Sequence, residues 1–354
     1  MIDLLKERTE NMMYPYVTLN DDTEITCSEM LPDGRVKVYI ETPDLKDGFH
    51  NATCYLPEHS WEDINGYSDA EMDYFREFVR NNAHLMIEFS RGIMKYIKYY
   101  DIGLNLFCKQ FPEPEKIIEE AEENEVCCIL TGTDIKEDKQ IFNFVKTHNA
   151  FGTAGIHPHN ADRAGQEDFQ LIEQILLEND RIVAIGECGL DYDRMFSTKE
   201  NQIRCLEKHI VLAEKLDKPL FLHERNATDD FIKRFKNHSD ICKKSVVHCF
   251  TGNKATLDKY LSMGFSIGIT GWICDDRRAK ELRDAVRIIP LDRILVETDA
   301  PYLTPKNVPG LARTNVPQNI KYVVRDLAKY MKVEENVLIE NAKRNTERIF
   351  QINT

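Results

Sequence analysis

Ile294-Leu-Val-Glu-Thr-Asp-Ala-Pro-Tyr-Leu303 opens as three apolar residues and turns abruptly to two carboxylates, Glu297 and Asp299, before Pro301 stops it. A short apolar run that ends in acids is the pattern of a buried parallel strand whose C-terminal end carries a functional group. Upstream, seven more apolar runs alternate with amphipathic stretches, at residues 99–106, 126–132, 151–156, 182–186, 220–223, 245–250 and 265–271. Helical patterns fill the intervals, as at residues 113–123, 137–148, 168–178 and 198–216. Ser197-Thr-Lys-Glu200 has the spacing of a capping box opening the last of these. Residues 318–331 and 334–350 read as two closing helices. Eight such repeats predict an α/β fold, a (β/α)₈ TIM barrel. A doubly wound open sheet is the alternative, disfavoured because polar residues stand at the end of almost every run.

The 354 residues exceed what a barrel alone needs, which leaves room for a small α+β module at residues 1–97 ahead of a barrel at 98–354. In that module residues 34–42 alternate like a half-buried strand, and residues 51–56 form a second strand stopped by Pro57. Ser68-Asp-Ala-Glu71 then caps a helix expected to run through Ile93, with Tyr74, Phe75, Phe78 and Val79 on its apolar face. His50, His59 and His84 are scattered here and point to no chemistry. Hydrophobic content of 42% and charged content of 30% fit a globular chain with a large core. No apolar run has the length of a membrane span, and the charged N-terminus lacks a signal-peptide pattern, so the expected location is cytoplasmic. The ten cysteines are scattered without a Cys-x-x-Cys, which disfavours disulfides and structural zinc. Residues 1–97 hold 9 basic and 19 acidic side chains, so ten of the fourteen net negative charges lie there. The near-neutral remainder is compatible with a phosphate backbone, above all through bound cations.

The chemistry sits where the runs end. Gly155-Ile-His157-Pro-His159, Gly186-Glu187-Cys-Gly-Leu-Asp191, Phe221-Leu-His223, Val247-His248-Cys249, Gly268-Ile-Thr-Gly-Trp272 and Glu297-Thr-Asp299 would all face one mouth of a barrel. Carboxylates and imidazoles in one open cluster suit a divalent metal that activates water. Glu187, His223, His248 and Asp299 are the candidate ligands; Glu187 can bridge two ions, and Asp299 can also take a proton from the attacking water. Each alone reads equally as a satisfied histidine, a helix cap or an ion pair, but four at strand ends in register do not. The mixed donors accept Mg²⁺, Mn²⁺ or Zn²⁺, as one ion or two, with Mg²⁺ or Mn²⁺ expected. His157 and His159 read as a phosphate-binding turn or a plain loop. Trp272 and Tyr302 offer rings to a base or to the core. Arg278, beside Arg277, meets a phosphate or starts a solvated helix. Cys188 and Cys249 lack a nucleophile arrangement and read as packing.

Asp101-Ile-Gly-Leu-Asn-Leu106, Ala154-Gly-Ile-His-Pro-His159, Ala184-Ile-Gly-Glu-Cys-Gly-Leu-Asp-Tyr192, Val247-His-Cys-Phe-Thr-Gly252, the stretch from Gly268 to Arg278, and Val296-Glu-Thr-Asp-Ala-Pro-Tyr-Leu303 together resemble the TatD-type metal-dependent deoxyribonucleases. The resemblance spans residues 98–352. It implies a TIM barrel and metal-dependent phosphodiester hydrolysis in DNA, a 3′–5′ exodeoxyribonuclease acting on single strands or 3′ ends. It also implies Glu187, His223, His248 and Asp299 as metal ligands, Asp299 and Glu187 as catalytic groups, and the region of His157 as substrate-facing. Three features depart from the pattern. The first-strand Asp-x-His-x-His of many members is replaced by Gly103 and Asn105, which leaves one metal site thin and places Asn105 with the substrate contacts. Glu224-Arg225-Asn226 stands for the usual Cys-Arg-Asp, so Glu224 is either an added carboxylate or a solvent-facing one. Asn315-Val-Pro317 stands for Asn-Glu-Pro. The same metal chemistry would serve a barrel hydrolase of small amides, lactones or esters, and the missing histidines would also suit a non-catalytic binding scaffold.

Overall fold

The computed structural model describes residues 13–19, 22–31, 33–44, 46, 48–91 and 97–352. Their contacts partition into two compact units, Met1–Lys95 and Tyr96–Thr354. No helix among the described residues is long and apolar enough to cross a membrane.

The first unit is an antiparallel sheet of five strands in sequence order, β1 (Met13–Thr18), β2 (Glu24–Ser28), β3 (Val36–Asp44), β4 (Gly48–Leu56) and β5 (Ser60–Asn65). A long helix, α1 (Asp69–Arg91), follows. Alternation along the strands turns Ile25 and Cys27, Val36, Val38 and Ile40, and Ala52, Cys54 and Leu56 to one face. That face packs on Met72, Phe75, Val79 and Met86, spaced as one stripe of α1. Ser68 and Glu71 cap the helix reciprocally: Ser68 N donates to Glu71 Oε2 at 2.7 Å and Glu71 N to Ser68 Oγ at 3.4 Å. The two strands expected from sequence are β3 and β4; β1, β2 and β5 are additional. Tyr74, expected on the apolar face, is 55% exposed and belongs to the outer side of α1. The expected helix end at Ile93 lies outside the described residues.

The second unit is an eight-stranded parallel sheet curled into a barrel, in the order β6 (Tyr99–Leu104), β7 (Val126–Leu130), β8 (Phe151–Ala154), β9 (Ile182–Asp191), β10 (Leu220–Arg225), β11 (Val246–Val247), β12 (Ser266–Ile269) and β13 (Ile294–Val296). The first and last strands meet through a Leu104–Ala300 bridge, with Asn105 N donating to Ala300 O at 2.9 Å. Helices α2 (Pro114–Glu123), α3 (Ile135–Phe144), α4 (Gln166–Glu178), α5 (Lys199–Leu216), α6 (Thr228–Phe235), α7 (Ser239–Lys244), α8 (Lys254–Met263) and α9 (Lys280–Ala285) lie between the strands. The closing helices are α10 (Ile320–Met331) and α11 (Glu335–Phe350). All ten residues of β9 are buried, which is why parallel strands read as continuous apolar runs. Two expectations shift. β9 runs five residues past Gly186, carrying Glu187 and Asp191 within the strand. The cap of α5 is Thr198, whose Oγ1 accepts from Asn201 N at 3.3 Å. Ser197 instead donates to His159 O at 2.9 Å. The ten cysteines are free, and eight of them are buried as small core residues.

Candidate active site

The strand ends open into a cleft of about 830 Å³. Asn105, His157, His159, Glu187, His223, His248, Trp272, Arg278 and Asp299, all nominated from sequence, line it.

Glu187 is its centre. Two glycines let the chain pass here: a Cβ on Gly186, at φ +143°, would stand 2.3 Å from Phe221 O, and one on Gly189, at φ +147°, 1.8 Å from His223 O. Only glycine allows β9 and β10 to approach this closely and bring their side chains together. Glu187 N donates to Gly132 O at 2.6 Å. Its Oε1 then lies 2.8 Å from His248 Nε2, 2.9 Å from His223 Nδ1 and 3.2 Å from His157 Nε2. The donor atoms of His157, Glu187 and His223 all fall within 4.8 Å of one another. His157, expected beside the substrate, therefore stands among the ligand-competent groups.

Burial pushes the Glu187 carboxyl up, but the charge of His248 and the close approach of His157 and His223, both hydrogen-bonded to it, outweigh it and hold it well below the usual range. Burial also pulls His248 down, and Glu187 and Glu297 reverse this, leaving it well above an ordinary histidine. His223 is raised as well, because the nearby carboxylates of Asp191 and Glu187, the latter hydrogen-bonded to Nδ1, outweigh the burial that opposes them. For His157 burial wins and the ring is pulled down to about 4, which keeps it a neutral lone-pair donor. Three imidazoles crowd one buried carboxylate oxygen. His223 Nε2 is buried without a hydrogen bond, since it comes within 3.4 Å of Asp191 Oδ2 but out of alignment. An orphaned imidazole nitrogen beside a shared carboxylate fits a divalent cation.

Asp299 reaches the cleft from a held turn. Its backbone is left-handed at φ +53°, which aspartate tolerates better than most residues. Thr298 N donates to the buried Asp101 at 2.7 Å, and Asn315 Nδ2 donates to Thr298 O at 3.1 Å. The Asn-Val-Pro segment thus supports this turn through Asn315 itself. Asn105 Nδ2 donates to Asp299 Oδ1 at 2.9 Å. Burial raises the Asp299 carboxyl to about 7, with repulsion from Glu187 and Glu297 added and His248 and Asn105 opposing. Neither Glu187 nor Asp299 caps a helix. Glu297 is buried behind His248, 3.3 Å from its Nδ1, and takes the Cys249 N–H.

Asp191, four residues along β9 from Glu187, is a further member of the site. Its Oδ2 lies 2.8 Å from His159 Nε2 and 3.4 Å from His223 Nε2, and burial is outweighed by these rings and Arg194 N, so it stays strongly acidic. Its signal was the even spacing from Glu187, which puts both acids on one face of an extended strand. Thr133, on the loop into α3, and Glu137, in the first turn of α3, are hydrogen-bonded to each other and also line the cleft. Arg278 stacks over Trp272 at 4.1 Å and pairs with Asp275 at 2.7 Å. Trp272 thus presents one face to Arg278, while Tyr302 is 51% exposed at the rim. Glu224 neither joins the ligands nor faces solvent freely: it accepts from Ala227 N at 2.6 Å, at the start of α6, and from the Tyr260 hydroxyl.

A family profile described as TatD related DNase matches residues 100–351. A relative named 3′-5′ ssDNA/RNA exonuclease TatD from Erwinia amylovora is 41% identical over 235 residues, 65% of this chain and 90% of that protein. One of the same name from Pectobacterium carotovorum is 39% identical over 261 residues, 72% of this chain and 99% of its own. Among solved structures, the TatD homolog YjjV of Escherichia coli shares the fold at TM-score 0.66 and 24% identity, over 73% of this chain and all of that one. A TatD family hydrolase of Entamoeba histolytica does so at 0.62 and 25%, over 71% and 97%. With the barrel and the cleft at its strand ends beside these matches, the chain belongs to the TatD-related DNase family.

Proposed function

We infer that the cleft hydrolyses phosphodiester bonds of DNA with a divalent metal, removing nucleotides from the 3′ end of single strands. The observation that carries this reading is the convergence of three imidazole nitrogens on one oxygen of Glu187 in an open cleft. Glu187, His157, His223 and His248 would hold the ion, with Asp299 lining the same cleft as a further carboxylate. A divalent cation bound there supplies Lewis acidity toward a phosphoryl oxygen and makes a bound water acidic enough to attack near neutral pH. Mg²⁺ or Mn²⁺ is expected, and the imidazole-rich donor set also accepts Zn²⁺. Gly103 and Asn105 supply no imidazole on the first strand, so one ion is the expected stoichiometry and a second would depend on Asp299 and the substrate.

The chain's own groups divide the remaining work. Asp299, oriented by Asn105 and raised by burial to about 7, accepts the proton of the attacking water. Glu297 fixes the His248 ring from behind, and Asp191 fixes His159 and His223. Arg278 meets a phosphate, and Tyr302, exposed at the rim, or the part of Trp272 that lines the cleft takes a base.

The test is a panel of p-nitrophenyl phosphodiesters against p-nitrophenyl carboxylic esters with Mg²⁺, Mn²⁺ or Zn²⁺. Turnover of the phosphodiesters alone, abolished by EDTA, supports the reading. Turnover of the esters alone would transfer the site to small-substrate hydrolysis.

A further inference from the structure

Between β9 and α5 the chain exposes Arg194, Met195 and Phe196 in succession, with Met195 43% and Phe196 66% exposed. Single exposed apolar residues are ordinary on a protein surface, and Leu177 at 65% and Val211 at 63% are of that kind. Phe196 differs in how it is held and where it stands. Gln202, fully buried, ties both ends of the loop: its Nε2 donates to Asp191 O at 3.0 Å and Ser197 O at 2.9 Å, and its Oε1 accepts from Asp191 N at 2.8 Å. Asp191 Oδ1 accepts from Asp193 N and Arg194 N, each at 2.9 Å. Met195 takes a left-handed φ of +49° at the exposed tip of the loop. A Phe at the tip of a loop pinned in this way is presented to solvent in a fixed place.

That place is the edge of the cleft. Phe196 meets the His159 ring edge-on at 4.7 Å, and His159 is anchored on Asp191. The ring lines both the cleft and a second depression beside it, to which the exposed Arg163 also belongs. His159 and Asn160 are shared by the two, so the depression continues the cleft outward. Phe196 follows the fourth barrel strand, while Trp272 and Tyr302 follow the seventh and eighth, so these aromatic rings stand across the mouth from Phe196.

We propose that Phe196 is a stacking platform for the nucleobase on the 5′ side of the scissile phosphate, over which a single strand leaves the cleft toward Arg163. This rests on the phosphodiesterase reading of the cleft and deepens it. The 3′-terminal nucleotide then lies on the Trp272 and Tyr302 side. Arg194 and Arg163 supply the positive charge that a strand of phosphates requires along this path. Base–aromatic stacking tolerates any base, so the platform contributes length and strandedness preference without sequence preference.

The test walks one abasic residue through an oligodeoxynucleotide and reads KM and kcat in wild type, Phe196→Ala and Phe196→Trp. In wild type, KM rises about tenfold, a typical stacking effect, when the abasic residue is immediately 5′ of the bond to be cut. Phe196→Ala shows the raised KM on the intact strand and no further penalty at that position; Phe196→Trp restores the discrimination. The wild-type walk needs no variant, so it decides even if Phe196→Ala folds poorly. A flat walk, or a penalty at that position that persists in Phe196→Ala, overturns the platform while leaving the phosphodiesterase reading intact. A wild type inert on every strand with every metal overturns both.

Discussion

His209 is the sharpest place to test the energetics behind the site. It sits fully buried on α5, its Nδ1 2.8 Å from Cys205 O and its Nε2 accepting the Ile156 N–H at 3.1 Å. That second bond fixes the residue before His157, so a buried ring one layer back positions the His-Pro-His turn. Burial pulls its pKa down to about 4, with the Cys205 carbonyl opposing and Lys208 adding slightly. In the unfolded chain the same ring protonates near 6.5. Between those values the unfolded state binds the extra proton, so stability rises with pH across that window. The contribution is therefore whole above about pH 6.5, is lost as pH falls, and is spent by about pH 4. At about 1.4 kcal/mol per pKa unit the full effect is about 3 kcal/mol, of which about 2 kcal/mol is gone by pH 5. His209→Gln keeps a side-chain acceptor for Ile156 N and does not titrate. Urea unfolding of the barrel at pH 7 and pH 5, followed by circular dichroism, should show the wild type losing about 2 kcal/mol more than the variant over that interval. Equal losses in the two proteins would refute the buried, neutral His209.

Two substitutions probe the cluster itself. Glu187→Gln removes the oxygen charge on which three histidines converge, and calorimetry should find divalent-metal affinity reduced by about 100-fold or more; unchanged affinity would remove Glu187 from the metal site. Gly189→Ala places a methyl 1.8 Å from His223 O at a φ of +147°, so the barrel should lose at least about 3 kcal/mol of stability. A variant with wild-type urea midpoint would contradict the close approach of β9 and β10.

The barrel was legible because parallel strands covered on both faces appear as apolar runs, and each run found is a strand. The sequence was less informative wherever polarity and strand geometry part company. β9 continues through Gly186, Glu187 and Gly189, which read as its end although they lie within it, and this concealed Asp191 as a partner of His159 and His223. In the N-terminal unit β5 has five of six residues exposed, so it carries no alternation to read. The strand ends that meet in the cleft were identifiable one by one. Which of their side chains touch was not, because Asn105 and Asp299 are 194 positions apart and only closure of the barrel joins them. His157 was seen, but its approach to Glu187 depends on how the turn folds back, which no local pattern encodes. Glu224 looked like a spare ligand because its partner Tyr260 is 36 residues away.

Whether this cleft cuts DNA from the 3′ end through its metal cluster and Asp299 is decided by a time course on a 5′-labelled single-stranded DNA with Mg²⁺ or Mn²⁺, run with EDTA and with Asp299→Asn alongside. The strand should shorten as a ladder, one nucleotide at a time from the 3′ end, with cutting abolished by EDTA and slowed about 100-fold or more by the substitution. Undiminished cutting by Asp299→Asn, or an intact strand with wild type and either metal, would contradict this reading.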